Sequence, residues 1–371
     1  MKIAYDSKRA FRNYSGLGNY SRTVINAMSK HFPENQYYLY TPKTGYNFDD
    51  FPPKITKIIS PENILDKKFN SYWRSYKIPL SLLKEKVDIY HGLSHELPVN
   101  IRKSGVKSIV TIHDLIFFRY PELYKRIDRK IYQKKYTHAV NVADKILAIS
   151  QQTKRDIVDF LNINESRVEV IYQSSNPIFS SHLSNEGLVK IREKYDLPSE
   201  FILSVGTIER RKNLLELVKA VHRGKINVPI VIVGREKKYA EEVYTYIADN
   251  QVSNVIFLRN VPNEDLPAIY QLADVFAYPS SFEGFGLPVL EAIQSGTPVI
   301  AGKGSCLEET GGADSIYIDP YNTEEFSNAI QKVFSDSDLR NRMKRKGLEF
   351  ADNFKLETAI NSLNAVYESI Y

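Results

Sequence analysis

Short apolar runs alternate with amphipathic stretches along the whole chain, which is the pattern of parallel sheets joined by crossover helices. In the first half this predicts strands near 2–6, 36–40, 55–59, 88–91, 108–112, 145–149 and 168–172, with helices near 18–31, 69–84, 124–142 and 150–161. In the second half it predicts strands near 201–205, 229–233, 254–258, 275–278, 298–301 and 316–318. The helices expected there lie near 213–222, 237–249, 264–272, 288–295, 323–334, 338–350 and 355–370. At 371 residues the chain is long enough for two domains of ordinary size. Loop signals at Ser174-Ser175-Asn176-Pro177 and Leu197-Pro198-Ser199 separate two doubly wound α/β units. The expected domains are 1–175 and 176–354, with a final helix over 355–371 packing back on the first. Ligands of open α/β sheets bind beyond the carboxyl ends of the strands, so two facing units would share a cleft.

Composition excludes several classes. Cys306 is the only cysteine, which rules out an internal disulfide and any all-cysteine metal site, and is compatible with a reducing cytosol. The N-terminal run has no signal-peptide core, and no apolar stretch nears the ~20 residues of a membrane span. The net charge of +6 is uneven. Residues 1–180 carry 29 Lys and Arg against 17 Asp and Glu, whereas residues 181–371 carry 21 against 27. The first half is therefore expected to meet something anionic, such as acidic lipid, a lipid-linked pyrophosphate or nucleic acid. No nucleic-acid-binding motif accompanies the charge, so nucleic acid is not an expected partner.

The stretch from Ser280 to Ala301 carries the most chemistry. Glu283 sits in a turn with Gly284 and Gly286, and Glu291 follows on the first turn of a helix starting near Pro288. A glycine loop feeding a helix N-terminus presents N–H groups and the positive end of a dipole, which suits a phosphate. Carboxylates on either side can accept hydrogen bonds from sugar and ribose hydroxyls, which points to a nucleotide sugar. Earlier, the strand Phe201–Val205 runs into Gly206 and then Arg211-Lys212 just before a helix. Cations there oppose the helix dipole, so a function is the better explanation: neutralising a departing diphosphate. Arg210 reads as solvent-facing.

These elements resemble family 4 glycosyltransferases, which are retaining enzymes of the GT-B fold. Glu283 and Glu291 match the family's E-x7-E signature, and Gly206 with Arg211-Lys212 matches its Gly-x4-Arg-Lys element. The resemblance covers nearly the whole chain and is strongest to bacterial mannosyltransferase-type members. It implies two Rossmann-like domains, a nucleotide-sugar donor such as GDP-mannose or a UDP-sugar, and no cofactor or required metal. The acceptor would be a hydroxyl of a glycan or lipid-linked precursor in surface polysaccharide synthesis. The enzyme would be cytoplasmic and at the inner face of the membrane. In that reading Glu283, Arg211, Lys212 and His113 are catalytic. His113 ends the strand Val110-Thr111-Ile112 and lies beside the anomeric carbon, where it bonds a donor-sugar hydroxyl.

The donor would also contact Glu291, Gly206, Gly284, Phe285, Gly286 and Leu287. Two further strand-end loops, Gly234-Arg235 and Arg259-Asn260-Val261, would hold the nucleotide, largely through backbone groups. The segment Lys303–Glu309 resembles a family loop, with Glu308 where that loop has proline. Gly16 and Gly18 would close over the diphosphate, or form a plain tight turn. A dinucleotide fingerprint is disfavoured there, because Ser21 replaces its third glycine and no acid ends the next strand. His91 lines the acceptor side or is structural, and Asp114 orients the donor ring or caps the next segment. The pair Asp336 and Asp338 has a metal-binding look, but precedes a basic helix and reads as a cap.

Two alternatives stay open: a nucleotide-sugar epimerase on the same fold, and a non-catalytic sugar-nucleotide-binding subunit. Two basic aromatic stretches, Lys67–Lys77 and Phe117–Arg126 continuing to Tyr136, either lie on an anionic membrane or are solvated faces with their rings in the core.

Overall fold

The computed structural model describes residues 1–13, 16–45 and 55–371. The chain divides into two compact units. The first is Met1–Gln173 together with Leu356–Tyr371, and the second is Ser174–Lys355.

The first unit is built on β1 (Lys2–Asp6), β2 (Gln36–Tyr40), β3 (Ile55–Ile59), β4 (Ile89–Gly92), β5 (Lys107–Ile112), β6 (Lys145–Ala148) and β7 (Val168–Val170). They lie in the order β3-β2-β1-β4-β5-β6-β7, all parallel. Both faces of the sheet are covered at its centre, which explains the mainly apolar central strands, while the edge strand Ile55–Ile59 keeps exposed Thr56 and Lys57. Alternate residues feed two separate cores. Ala4, Tyr38, Tyr90, Val110 and Ile112 pack with Trp73, Leu82, Tyr136 and Val140 on one face. Ile3, Tyr5, Leu39, Ile89 and Ile109 pack with Val24, Met28, Ile360, Leu363 and Tyr367 on the other. The first core is closed by the helical stretch from Ile64 to Glu85 and by helix Arg126–Val142. The second is closed by helices Gly16–His31 and Leu356–Ile370.

The second unit carries β8 (Ile202–Val205), β9 (Ile230–Val233), β10 (Val255–Leu258), β11 (Val275–Tyr278), β12 (Val299–Gly302) and β13 (Ile316–Ile318). Their order is β10-β9-β8-β11-β12-β13, again parallel. The chain order reverses between β8 and β11, so the loops leaving these two strands flank the point where such sheets bind ligands.

Three local features differ from the sequence reading. A short helix, Lys8–Arg12, precedes Gly16, and a helix Asn185–Lys194 with Ser184 as its cap occupies the region read as linker. The stretch near 69–84 is not one regular helix: it begins at Ile64 and contains a π-helical turn, Trp73–Lys77. The carboxylate of Asp336 accepts a hydrogen bond from the Leu339 amide at 2.8 Å and so caps helix Ser337–Ala351.

Candidate active site

The loop after β8 and the loop after β11 meet in one ion-pair cluster. The sequence folds this way because Arg210–Lys212 forms a single 3-10 turn and Asn213 takes a left-handed conformation, which sends the chain into helix Leu214–Arg223. The Arg211 carbonyl accepts from the Ser281 amide at 2.9 Å and from its hydroxyl at 3.1 Å. The Arg211 guanidinium then reaches Glu283 Oε1 at 2.6 Å, Glu209 Oε1 at 2.8 Å and the Phe282 carbonyl. Lys212 Nζ donates to the Tyr278 hydroxyl and lies 3.7 Å from Glu283 Oε1. Tyr278 passes that bond on, donating to Glu283 Oε1 at 2.8 Å, and Ser280 Oγ donates to the same oxygen at 2.9 Å.

Every one of these contacts falls on Oε1. Among the described residues none engages Glu283 Oε2. Burial alone would raise the Glu283 pKa, but the Arg211 and Lys212 charges outweigh it and hold the carboxyl at about 2. Glu209 also pairs with Lys237, so the cluster sets three cations, Arg211, Lys212 and Lys237, against two carboxylates. One positive charge is left over.

Glycine makes this packing possible at two positions. Gly206 has φ +140°, and a Cβ there would lie 2.8 Å from Lys212 Nζ, so the lysine folds back over a bare backbone. Gly286 has φ +96° and is the N-cap of helix Leu287–Gln294, where a Cβ would strike Leu307. In its first turn Pro288 carries no N–H and the Val289 amide donates to the Gly286 carbonyl at 2.9 Å, so Leu287 supplies the first-turn N–H that no carbonyl of the helix can accept. Gly284 and Leu287 are partly exposed, while Phe285 is buried edge-on against Phe354. Leu307 and Glu308, expected in a loop, belong to a short helix Leu307–Gly311, and Cys306 Sγ donates to the Glu283 carbonyl at 3.1 Å.

Glu291 lies in the second helical turn, not the first, because the helix opens at Leu287. Its Oε2 accepts from the Tyr270 hydroxyl at 3.1 Å. Burial pushes its pKa up to about 7, so the two carboxylates of the motif are driven in opposite directions. Lys212 acts electrostatically on both. Stability follows with a definite sign. An unfolded glutamate ionises near 4.5, whereas folded Glu291 resists ionisation until about 7. Stability contributed by this group is therefore present below 4.5 and is lost as pH rises towards 7. Glu291→Gln removes that slope: melting curves at pH 5 and pH 8 should show the variant gaining on the parent at the higher pH. Equal offsets at both would mean that folded Glu291 is already ionised.

The remaining donor-side candidates are at the carboxyl ends of β9 and β10. Gly234 lies so close to the first loop that a Cβ would sit 1.9 Å from the Gly206 carbonyl oxygen. Arg235 is exposed. Arg259 pairs with Glu236 at 2.9 Å, Asn260 adopts φ +55°, and Val261 is partly exposed.

In the first unit the structure corrects several expectations. His91 is wholly buried, its Nδ1 2.8 Å from the Tyr367 hydroxyl and its Nε2 2.8 Å from Thr111 Oγ1. With both nitrogens paired inside the core it is structural, not acceptor-facing. His113 is also buried. Its Nε2 donates to the Leu93 carbonyl at 2.9 Å, and the Gln173 amide donates to its Nδ1 at 3.2 Å. Neither nitrogen is left for a sugar hydroxyl in this arrangement, and burial lowers its pKa to about 4. Asp114 accepts from the Ile116 amide at 3.2 Å, at the first residue of the next short helix, Ile116–Arg119. Gly16 and Gly18 lie in the first turn of helix Gly16–His31, not in a loop. A Cβ on Gly18 would fall 1.7 Å from the Asn13 carbonyl oxygen, so packing explains that glycine, while Gly16 is exposed. Ser15 of the same motif is outside the described residues.

Four members of the cluster escaped the sequence reading: Glu209, Lys237, Tyr278 and Ser280. The available signal was position, since Tyr278 ends β11 and Ser280 follows it.

The chain is similar to known glycosyltransferases over nearly its whole length. Residues 14–174 match the family described as Glycosyltransferase Family 4, and residues 190–350 match Glycosyl transferases group 1. The O-antigen chain mannosyltransferase B of Escherichia coli is 26% identical, over 99% of this chain and 100% of its own length. The serotype-specific mannosyltransferase WbdA of Escherichia coli is 28% identical over 72% of this chain, which spans about a third of WbdA. Among solved structures, Anabaena HepE in complex with UDP-glucose superposes with a TM-score of 0.77 at 17% identity, covering 100% of both chains. Two doubly wound parallel sheets of this kind define the GT-B class of glycosyltransferases. Within it, this chain belongs to glycosyltransferase family 4.

Proposed function

We propose that the protein is a retaining, metal-independent mannosyltransferase that uses GDP-mannose and acts on a hydroxyl of a surface-polysaccharide acceptor. The observation that carries the donor reading is the asymmetry of Glu283. Three donors, Arg211, Tyr278 and Ser280, converge on Oε1 with Lys212 3.7 Å away, which locks the carboxylate in place and leaves Oε2 available to a donor-sugar hydroxyl. Lys212 and the Leu287 amide at the start of helix Leu287–Gln294 stabilise the departing diphosphate. Glu291 meets the ribose. The C1–O bond to phosphate breaks as the acceptor oxygen bonds C1 on the same face. The departing phosphate oxygen takes the acceptor proton, so no protein base is required.

The base and sugar rest on the mannosyltransferase relatives, while the HepE complex with UDP-glucose keeps a uridine donor as the competing choice. A thermal-shift panel of GDP-mannose, UDP-glucose and ADP-glucose decides between them. A ligand at about 100 times its Kd stabilises the native state by about 2.7 kcal/mol. GDP-mannose should give the largest rise in melting temperature. A larger rise with UDP-glucose would replace the base, and no rise with any of them would end the donor reading.

A further inference from the structure

We propose that one face of the first unit docks on an anionic lipid bilayer, through the helical stretch from Ile64 to Glu85 and the start of helix Arg126–Val142. Along the first stretch Leu65, Phe69, Tyr72, Tyr76, Leu80 and Leu83 recur every three or four residues, and all are exposed. Leu80 is 67% exposed and Phe69 56%. Such spacing normally marks the buried face of a helix. Here the buried face is a different one, since Trp73, Ile78 and Leu82 already fill the core. The stretch is therefore apolar on two sides and has a core for only one of them.

Charge selects the occupant. The exposed positions from Ile64 to Lys84 include Lys67, Lys68 and Lys84 and no carboxylate. Asp66 is buried under Asn63 and Lys77, and Glu85 is held by Lys57. On the second helix Ile127, 73% exposed, and Ile131 lie one turn apart, flanked by exposed Arg126, Lys130 and Lys134. The two elements cover the same face of the sheet and share a carboxylate. Glu96 takes Arg74 of the first at 2.7 Å and Lys135 of the second at 3.0 Å. Both elements therefore present aliphatic and aromatic tips with lysine and arginine beside them on the same face of the sheet, where Asp128 is the one carboxylate next to Ile127. Leucine, phenylalanine and tyrosine at the acyl boundary, with basic side chains reaching the headgroups, are what an anionic interface binds. A second copy of this face would set Lys67, Lys68 and Lys84 against like charge.

The test is cosedimentation of the full chain with vesicles, a binding readout that does not depend on sugar transfer. Vesicles of phosphatidylcholine containing about 30% phosphatidylglycerol should bind the protein, and phosphatidylcholine alone should bind it at least about 10-fold less. The variant Leu65→Ser, Phe69→Ser, Leu80→Ser should lose most binding to the anionic vesicles. Lys67→Glu with Lys68→Glu should lose it too, with its nucleotide-sugar thermal shift unchanged. Absence of binding to anionic vesicles, or equal binding by parent and serine variant, overturns the proposal. So does a concentration-dependent dimer that only the serine variant abolishes, which would make this face an interface between copies.

Discussion

Lys212→Met is expected to slow sugar transfer by about 10²- to 10³-fold, the usual cost of removing one preorganised donor to developing negative charge. Its melting temperature should stay near that of the parent. Methionine keeps the length of the side chain against the Tyr278 ring, whose centroid lies 4.9 Å from Lys212 Nζ. Glu283 keeps Arg211, Tyr278 and Ser280, so no buried charge loses its partner. The loss should fall on kcat more than on KM, because the diphosphate gains charge only as the glycosidic bond breaks. Steady-state kinetics beside a melting curve check it. A fall in both activity and melting temperature would mean that the lysine holds the loop together instead of acting on the leaving group.

Glu283→Ala should be worse in both respects. Transfer is expected to fall by about 10³-fold or more, because the variant loses the sugar contact and the anchor of the cationic corner together. Stability should fall by about 3 kcal/mol, within the range for breaking a buried ion pair, since the Arg211 guanidinium keeps Glu209, the Phe282 carbonyl and a long bond to Ser280 Oγ but loses its nearer carboxylate. The double variant Arg211→Ala, Glu283→Ala should be less damaged than the sum of its single changes, which a double-mutant cycle on melting free energies measures. Additive losses would show that the pair contributes nothing to folding. Acid should act on the same pair. Glu283 ionises in the folded protein at about 2 against 4.5 for an ordinary glutamate, so its stabilisation is full above 4.5 and disappears as pH falls towards 2.

Much of this architecture was legible before any coordinates. Strands buried on both faces are apolar without interruption, so Ile230–Val233 or Val275–Tyr278 can hardly be anything else. The cationic corner and the glutamate turn were legible because each is contiguous in the chain. What held them together was not, because Tyr278 and Glu209 join the cluster through contacts between separate loops. His91 and His113 show the opposite failure. A histidine at a strand end gives the same signal whether it faces a ligand or a tyrosine from another element, and for His91 that tyrosine is 276 positions away. The helix Asn185–Lys194 was missed for a plainer reason: none of its residues is buried, so it carries little apolar pattern to read.

The return of helix Leu356–Ile370 to the first unit also bears on how the polypeptide is made. At ribosomal speeds of roughly 5–20 residues per second, about 180 residues separate Gln173 from this helix, an interval of some 10 to 40 seconds. During that time Ile3, Tyr5 and Ile89 have no Leu363 or Tyr367 to cover them, and the Nδ1 of His91 has no hydroxyl to bond. The amino-terminal sheet is then a half-walled nascent intermediate with a sticky flank. Helix Leu356–Ile370 closes a gap in a sheet whose last strand leaves the ribosome about 180 residues earlier.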